Sequence, residues 1–454
     1  MKTLPLVLLS ACAHTSAQPL SLHPDNPHYF LWKGEPAVLI TSAEHYGAVL
    51  NLDFDYSKYL ATLAKDGLNL TRAFSGVYYE NPGAFNIERN TLAPPPNRYI
   101  GPWRRSLGGK FDLTQWDDRY FHRLKSFVRE AGERGVIVEM TLFCPFYKDE
   151  QWALSPMNPS NNLQQAGPNN REHVYTLDKH AGLLPFHDAV TQEIVSELKE
   201  ADNVYYEICN EPYFGGVTLE WQRHIADIIS AAEKDMPARH LISQNIANGK
   251  AKIENPHQAV SIFNFHYASP PDTVPLNYGL NKAIGDNETG FKGTPDRHYR
   301  MEAWEFLLAG GALYNNLDYS FTVGHEDGSF TVRHPMPGGG GAELRRQMRT
   351  LRDFMYDFNF IKMRPAKEMV QSGVPEGARV QLLAESGQQY ALYLNTGGSA
   401  ELALDTPPGN YDAEWLNPVT GKMEKRESRQ HTSGHLMLKS PPFAEDIALR
   451  LKRK

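Results

Sequence analysis

The chain has 454 residues and a formal net charge of −7, from 46 Lys plus Arg against 53 Asp plus Glu, with 41% hydrophobic, 22% charged and 11% aromatic residues. That length exceeds what one core usually supports, so a domain of about 250 to 350 residues with a smaller companion is expected. The composition excludes a disordered chain, and the acidic balance offers no footprint for a phosphate backbone, which removes nucleic acid from the expected partners.

At the start, Lys2 precedes the apolar run Leu4 to Leu9, and small residues follow at Ser10, Ala11 and Ala13. Residues 1–17 read as an export signal, too short to span a bilayer. The run Leu9-Ser10-Ala11-Cys12 is similar to a bacterial lipobox, which would lipidate Cys12 and tether the chain to a membrane; cleavage near Ala17 is the alternative. Either way the expected location is outside the cytoplasm, in the periplasm, on the outer membrane or secreted. The other two cysteines, Cys144 and Cys209, lie in apolar runs without metal or disulfide spacing and read as buried thiols.

From about residue 37 to 320, short β-branched runs alternate with amphipathic stretches, the pattern of βα units. Eight strands are predicted: Ala37–Ser42, Leu68–Phe74, Val136–Phe143, Val204–Cys209, His240–Gln244, Ser261–His266, Lys282–Asp286 and Ala312–Asp318. Helical spacing of apolar residues marks Tyr120 to Arg134, Ala189 to Lys199 and Ala342 to Phe358. The economical fold is an α/β TIM (β/α)8 barrel over 18–362. After it, Arg379–Ala384, Tyr390–Leu394, Ala400–Leu404, Tyr411–Leu416 and Ile447–Leu451 alternate between Gly, Pro and Asn turns. They predict a small all-β sandwich over 363–454, packed on the barrel as an accessory.

The connections after strands two and three, about residues 75 to 112 and 144 to 185, are long, and long loops in compact domains are usually functional. They carry Tyr78, Tyr79, Trp103, Phe146 and Trp152, which either stack on a sugar or pack the loops themselves. If they close one end of a cleft, action from chain ends is favoured.

Strand four ends in Cys209-Asn210-Glu211-Pro212, and since proline cannot continue a central strand, Asn210 and Glu211 sit at its carboxyl end. Strand seven runs into Glu288-Thr289-Gly290. The two glutamates are separated by three βα repeats of about 26 residues, which places them on strands that face each other across the barrel mouth. Two carboxylates so placed suit glycoside cleavage: one gives a proton to a poor alkoxide leaving group, while the other meets the positive charge that develops on the sugar.

Asn210-Glu211-Pro212 together with Glu288-Thr289-Gly290 resembles glycoside hydrolase clan A, over about residues 37 to 320. The resemblance implies that Glu211 is the acid/base, that Asn210 holds the sugar 2-hydroxyl and that Glu288 is the nucleophile of a retaining hydrolase. In Asn69-Leu70-Thr71-Arg72, Arg72 resembles the clan's strand-two arginine, which would sit beside the nucleophile and keep it ionised. A closer likeness, carried by Arg300, Trp304 and the run Leu307 to Ala312, is to the cellulase-like family 5 and its relatives with a carboxyl-terminal β-sandwich; that run also serves helix packing. Two departures stand out. Strand six ends Phe265-His266-Tyr267, where many members place one residue between the histidine and the tyrosine; a period of two points His266 inward and leaves Tyr267 open. Strand eight lacks the tryptophan many members place under the sugar, and Asn316, Asp318 or Tyr319 stands there.

Other residues have blander readings. Glu207, on the face of Glu211 but deeper, reads as an ion-pair partner inside the barrel, and Asp286 is the rival to Glu288, deeper on the same face. Glu44 and His45, after strand one, either reach the sugar or hold a loop. His325-Glu326-Asp327 reads as a solvated loop, so no metal is expected, and no organic cofactor. The expected substrate is a plant, algal or microbial polysaccharide fragment. A transglycosylase using the same pair, a non-catalytic carbohydrate-binding barrel and a metal-dependent barrel hydrolase are the rivals.

Overall fold

The computed structural model describes residues 18–454, so the expected export signal and the lipidation expected at Cys12 lie outside the described residues. Eight parallel strands form the central sheet: β1 (Leu39–Ala43), β2 (Leu70–Phe74), β3 (Ile137–Phe143), β4 (Val204–Cys209), β5 (Ile242–Asn248), β6 (Val260–His266), β7 (Ala283–Thr289) and β8 (Leu313–Leu317). Each pairs with its neighbours in chain order from β2 to β8, and β8 pairs with β1. The seam between β1 and β2 is bridged by a side chain: Asn69 Nδ2 donates to the Val38 carbonyl at 2.9 Å, and its Oδ1 accepts from the Ile40 amide at 2.8 Å. The predicted TIM barrel is therefore present, all but closed as a sheet.

Strand alternation fills the interior in layers. Leu39, Leu70, Ile137, Tyr205, Ile262, Ala283 and Leu313 form an apolar bottom layer. It is sealed by Leu20 and by Phe30 of an amino-terminal antiparallel sheet, Ser21–His23, Asn26–Trp32 and Glu35–Ala37. Two residues further along β2, β3, β4 and β6, and four further along β7, the inward positions become polar: Arg72, Glu139, Glu207, Asn264 and Asn287 make a buried, hydrogen-bonded middle layer. Above that layer lie the carboxyl ends of the strands. This polarity is why β5 and β7 run further than their hydrophobic patterns suggested.

Outside, most helices bury one face, while Asp296–Leu308 is buried continuously from Glu302 to Leu308. Asp118–Glu133 buries Tyr120, Leu124, Phe127 and Ala131, and begins at Asp117, whose carboxylate accepts the Arg119 amide. Among the described residues no helix is long and apolar enough to cross a membrane.

The carboxyl-terminal region is all β. One sheet has the order Arg364–Pro365, Val380–Glu385, Gln389–Asn395, Asp446–Arg453, Gly409–Leu416, Met423–His431, and a second joins Val370–Ser372, Glu401–Leu404 and Leu436–Lys439. Tyr390, Leu392, Leu402, Trp415, Leu438 and Leu449 lie in the core between them. The edge strand Met423–His431 escaped the sequence pattern because it is exposed along most of its length. Arg300 and Trp304 belong to the docking of this region on the barrel. Arg300 pairs with Asp446 at 2.8 Å, and the Trp304 ring stacks on Tyr393. Just past the helix Asp296–Leu308 that carries both residues, Gly310 has a φ of 102°, and a Cβ there would fall 2.8 Å from the Pro365 ring.

Candidate active site

A cavity of about 470 Å³ opens at the carboxyl ends of the strands, and Asn210, Glu211, Tyr267 and Glu288 line it. An oxygen of Glu211, an oxygen of Glu288 and a ring nitrogen of His266 all lie within 4.8 Å of one another. This is the one group of its kind among the described residues; the His325-Glu326-Asp327 run is taken up by its own loop, where Glu326 accepts the Gly324 amide and Asp327 pairs with Lys58.

Glu211 sits just past β4, at a φ of 36° that turns its side chain into the mouth before Pro212. Its carboxylate accepts from the hydroxyls of Tyr147 (2.6 Å) and Tyr213 (3.3 Å) and faces His266 Nδ1 at 3.2 Å. Burial works against its ionisation, but the imidazole and the two phenols outweigh burial and hold the carboxyl below its ordinary range. Glu288 accepts from the Tyr46 hydroxyl (2.9 Å) and Arg72 Nη1 (3.1 Å) on one oxygen, and from the Tyr267 hydroxyl (2.6 Å) on the other. Burial first, and nearby acidic groups second, raise the Tyr46, Tyr147 and Tyr267 phenols, so all three remain protonated donors.

Arg72, fully buried on β2, ties the site together. It bonds Glu207 and Glu288, donates to Asn210 Oδ1 at 2.7 Å, and lies over the Tyr46 ring. Burial disfavours its charge, yet Glu207, Tyr46, Glu139 and Glu288 together raise it, so it stays a cation. Asn210, so anchored, donates through Nδ2 to the Tyr147 hydroxyl at 2.8 Å. Glu207 is an ion-pair partner within the barrel, as its depth implied.

Backbone geometry decides two open points. Tyr267 has a φ of 53°, a left-handed turn that breaks strand alternation and brings its ring into the cavity beside His266. In β7 the pairing with β6 slips between Asp286 and Glu288, so Asn287 and Glu288 both face the barrel axis. Asp286 therefore does not share the face of Glu288. It packs outward near Glu302, and burial and that neighbour raise its carboxyl far above the usual range.

Three expected sugar contacts fail on burial. Trp103 is 2% exposed within the hairpin Trp103–Arg105 and Phe111–Trp116, and Trp152 is 4% exposed, packed on Phe146; neither lines the cavity. Glu44 is buried and holds a loop, accepting from the Gly47 and Ala48 amides and from Thr91. His45 does line the cavity, as does Tyr78, whereas Tyr79 stacks on Tyr99. On β8 and beyond it, Asn316 bonds Ser42, Asp318 pairs with Arg345, and Tyr319 backs His45. The floor is instead Tyr46 stacked on Phe74. Tyr46, Tyr147, Tyr213 and Glu80 were not singled out in the sequence, because nothing local separates them from loop-packing residues.

Residues 53–274 match the family model Cellulase (glycosyl hydrolase family 5). That span holds Arg72, Asn210, Glu211 and His266, and ends before Glu288. Among solved structures, a Bacteroides vulgatus protein superposes with a TM-score of 0.67 at 13% identity over 96% of this chain and 82% of that one. A glycoside hydrolase family 5 protein from Bacteroides vulgatus gives 0.64 at 15% identity over 96% and 94%. The endo-1,4-beta-mannanase from Rhizomucor miehei gives 0.52 at 11% identity over 75% and 100%. These likenesses show the fold. No curated protein sequence matches the chain.

Proposed function

We propose that the chain is an O-glycosyl hydrolase of family 5, whose model matches residues 53–274, or a close relative in clan A, and that it is a retaining enzyme in which Glu288 attacks the anomeric carbon and Glu211 serves as acid and then base. The observation that carries the reading is the approach of the two carboxylates to within 4.8 Å. Retaining glycosidases hold their carboxyl groups about 5 to 5.5 Å apart, whereas inverting ones need roughly 6.5 to 9.5 Å to admit a water.

The surroundings suit the two roles. Tyr46, Tyr267 and Arg72 supply three donors that orient Glu288 for attack. Bond formation from Glu288 to the anomeric carbon releases the leaving oxygen, which takes the proton of Glu211. A sugar that fills the cavity displaces water and adds to the burial that already opposes ionisation of Glu211, so binding favours its proton-carrying form. Glu211, then ionised, takes a proton from water, whose oxygen displaces Glu288 from the sugar with a second inversion. Asn210, held by Arg72 and Tyr147, faces the sugar beside both carboxylates. The substrate in this reading is a plant, algal or microbial polysaccharide or oligosaccharide. Export through the apolar run Leu4 to Leu9, or anchoring at Cys12, would bring the enzyme to such polymers.

The test is sugar release from a panel of plant and algal glycans and aryl glycosides by wild type, Glu211→Gln and Glu288→Gln, with product anomers read by NMR at early times. Loss of about a hundredfold or more in both variants, with the anomeric configuration kept, is expected. Variants that match wild type, or inverted product, would overturn the assignment.

A further inference from the structure

The cavity contains a second acid and base that cleavage does not use. Glu80, on the loop after β2, is 3% exposed and lines the cavity. Its carboxylate is fixed by the Tyr78 hydroxyl at 3.0 Å and by the Asn90 amide. His45, 8% exposed, also lines the cavity. Its Nε2 stands 3.6 Å from Glu80 Oε2, too far for a hydrogen bond, and neither ring nitrogen has a hydrogen-bond partner. Leaving such groups buried and unpaired is costly, so their partners are expected to arrive with a ligand. A hydroxyl oxygen between them would donate to Glu80 and accept from His45.

The loop that carries Glu80 forms a wall. Thr91 bonds Glu44 and the His45 carbonyl, and Gly47 packs so tightly that a Cβ there would fall 2.2 Å from the Thr91 backbone. The Glu88 amide reaches Met336 Sδ at 3.0 Å, and Arg89 covers Phe330, so the same loop is tied to the connection after β8. The His45 ring packs against Tyr46, whose hydroxyl holds Glu288. Tyr213 and Phe214 beside Glu211 are exposed, as is Phe291 beyond Glu288. The wall is coupled through Tyr46 to Glu288, the group that would keep the sugar.

Taking Glu288 and Glu211 in those roles, we propose that Glu80 and His45 together recognise hydroxyls of a terminal, non-reducing sugar, and that the enzyme consequently removes sugars from chain ends. The leaving part of the substrate extends past Tyr213 and Phe214 to solvent.

The experiment uses 4-nitrophenyl glycosides of glucose, mannose and galactose in both anomeric series, and β-1,4-linked glucose and mannose tetrasaccharides labelled at the reducing end. Wild type, Glu80→Gln, His45→Ala and Glu288→Gln are compared. Wild type is expected to shorten the labelled chain one unit at a time. Glu80→Gln should lower kcat/KM by about a hundredfold and His45→Ala by about tenfold, with the preference between 4-epimeric sugars collapsing and the melting temperature held. His45→Ala strips no hydrogen bond from another group, which keeps the test readable if Glu80→Gln folds poorly. Labelled fragments of several lengths at the earliest times, or epimer preferences unchanged in both variants while Glu288→Gln is inactive, would overturn this proposal alone. A fully active Glu288→Gln would instead overturn the cleavage assignment.

Discussion

Two of the buried arginines, Arg300 and Arg72, differ in their partners. Arg300, where the barrel meets the β-sandwich, faces one buried carboxylate, Asp446, at 2.8 Å; its further partners are the half-exposed Glu445 and the Gln347 side chain. Asp446 in turn accepts from the Tyr393 hydroxyl. Arg72, in the barrel, bonds Glu207 and Glu288 and stands 3.8 Å from Glu139. Three buried carboxyls surround a single cation, and the surplus negative charge is offset by protons: burial first, and Glu207 second, push Glu139 up to about 8. An interface built for docking pairs its charges, whereas a site built for proton transfer leaves them in competition.

Removing each arginine is the strongest way to break this comparison. Arg72→Leu should abolish activity, by about a thousandfold or more, and Arg300→Leu should leave the rate per folded molecule near wild type. Each should cost about 3 to 5 kcal/mol of stability in denaturant titration, because a buried carboxylate loses its cation. Equal losses of activity in the two variants would mean that the interface also shapes the site. A smaller effect is expected from Tyr267→Phe, which removes one of three donors to Glu288. It should lower kcat by about ten- to a hundredfold, with little change in melting temperature. If KM alone rose, Tyr267 would be a substrate contact only.

The smallest effect sharpens the electrostatic half of the contrast. Glu139 has a folded-state pKa above its ordinary value, so the stability it contributes is fully present below its ordinary value of 4.5 and is lost progressively as pH rises from there to about 8. Wild-type melting temperature should fall over that interval, and Glu139→Gln should flatten the fall up to its upper end near 8. Glu302, raised by burial to about 7, adds a separate fall that this variant leaves in place. An unchanged profile in Glu139→Gln would show that Arg72 keeps Glu139 ionised throughout.

Much of the barrel was legible because its signals are local. Eight β-branched runs, a proline after Glu211 and a glycine turn after Glu288 report strand ends whatever the chain does elsewhere. The same locality misled where packing outweighed pattern. Trp103 and Trp152 were candidates for sugar stacking because aromatics in long loops can either stack on a ligand or pack the loop, and only their burial shows that they hold the loops together. The fourth and seventh strands and the glutamates at their ends follow from local pattern and chain length, and the place of Arg72 from the resemblance to clan A. Which side chains complete the site does not. A left-handed residue brings Tyr267 in, a slipped register turns Asp286 out, and long loops fold back to place Tyr46, Tyr147 and Glu80 in the same cavity. Periodicity encodes which face of a strand a residue occupies, but where a loop returns depends on contacts between segments far apart in the chain, so only the tertiary structure decides them.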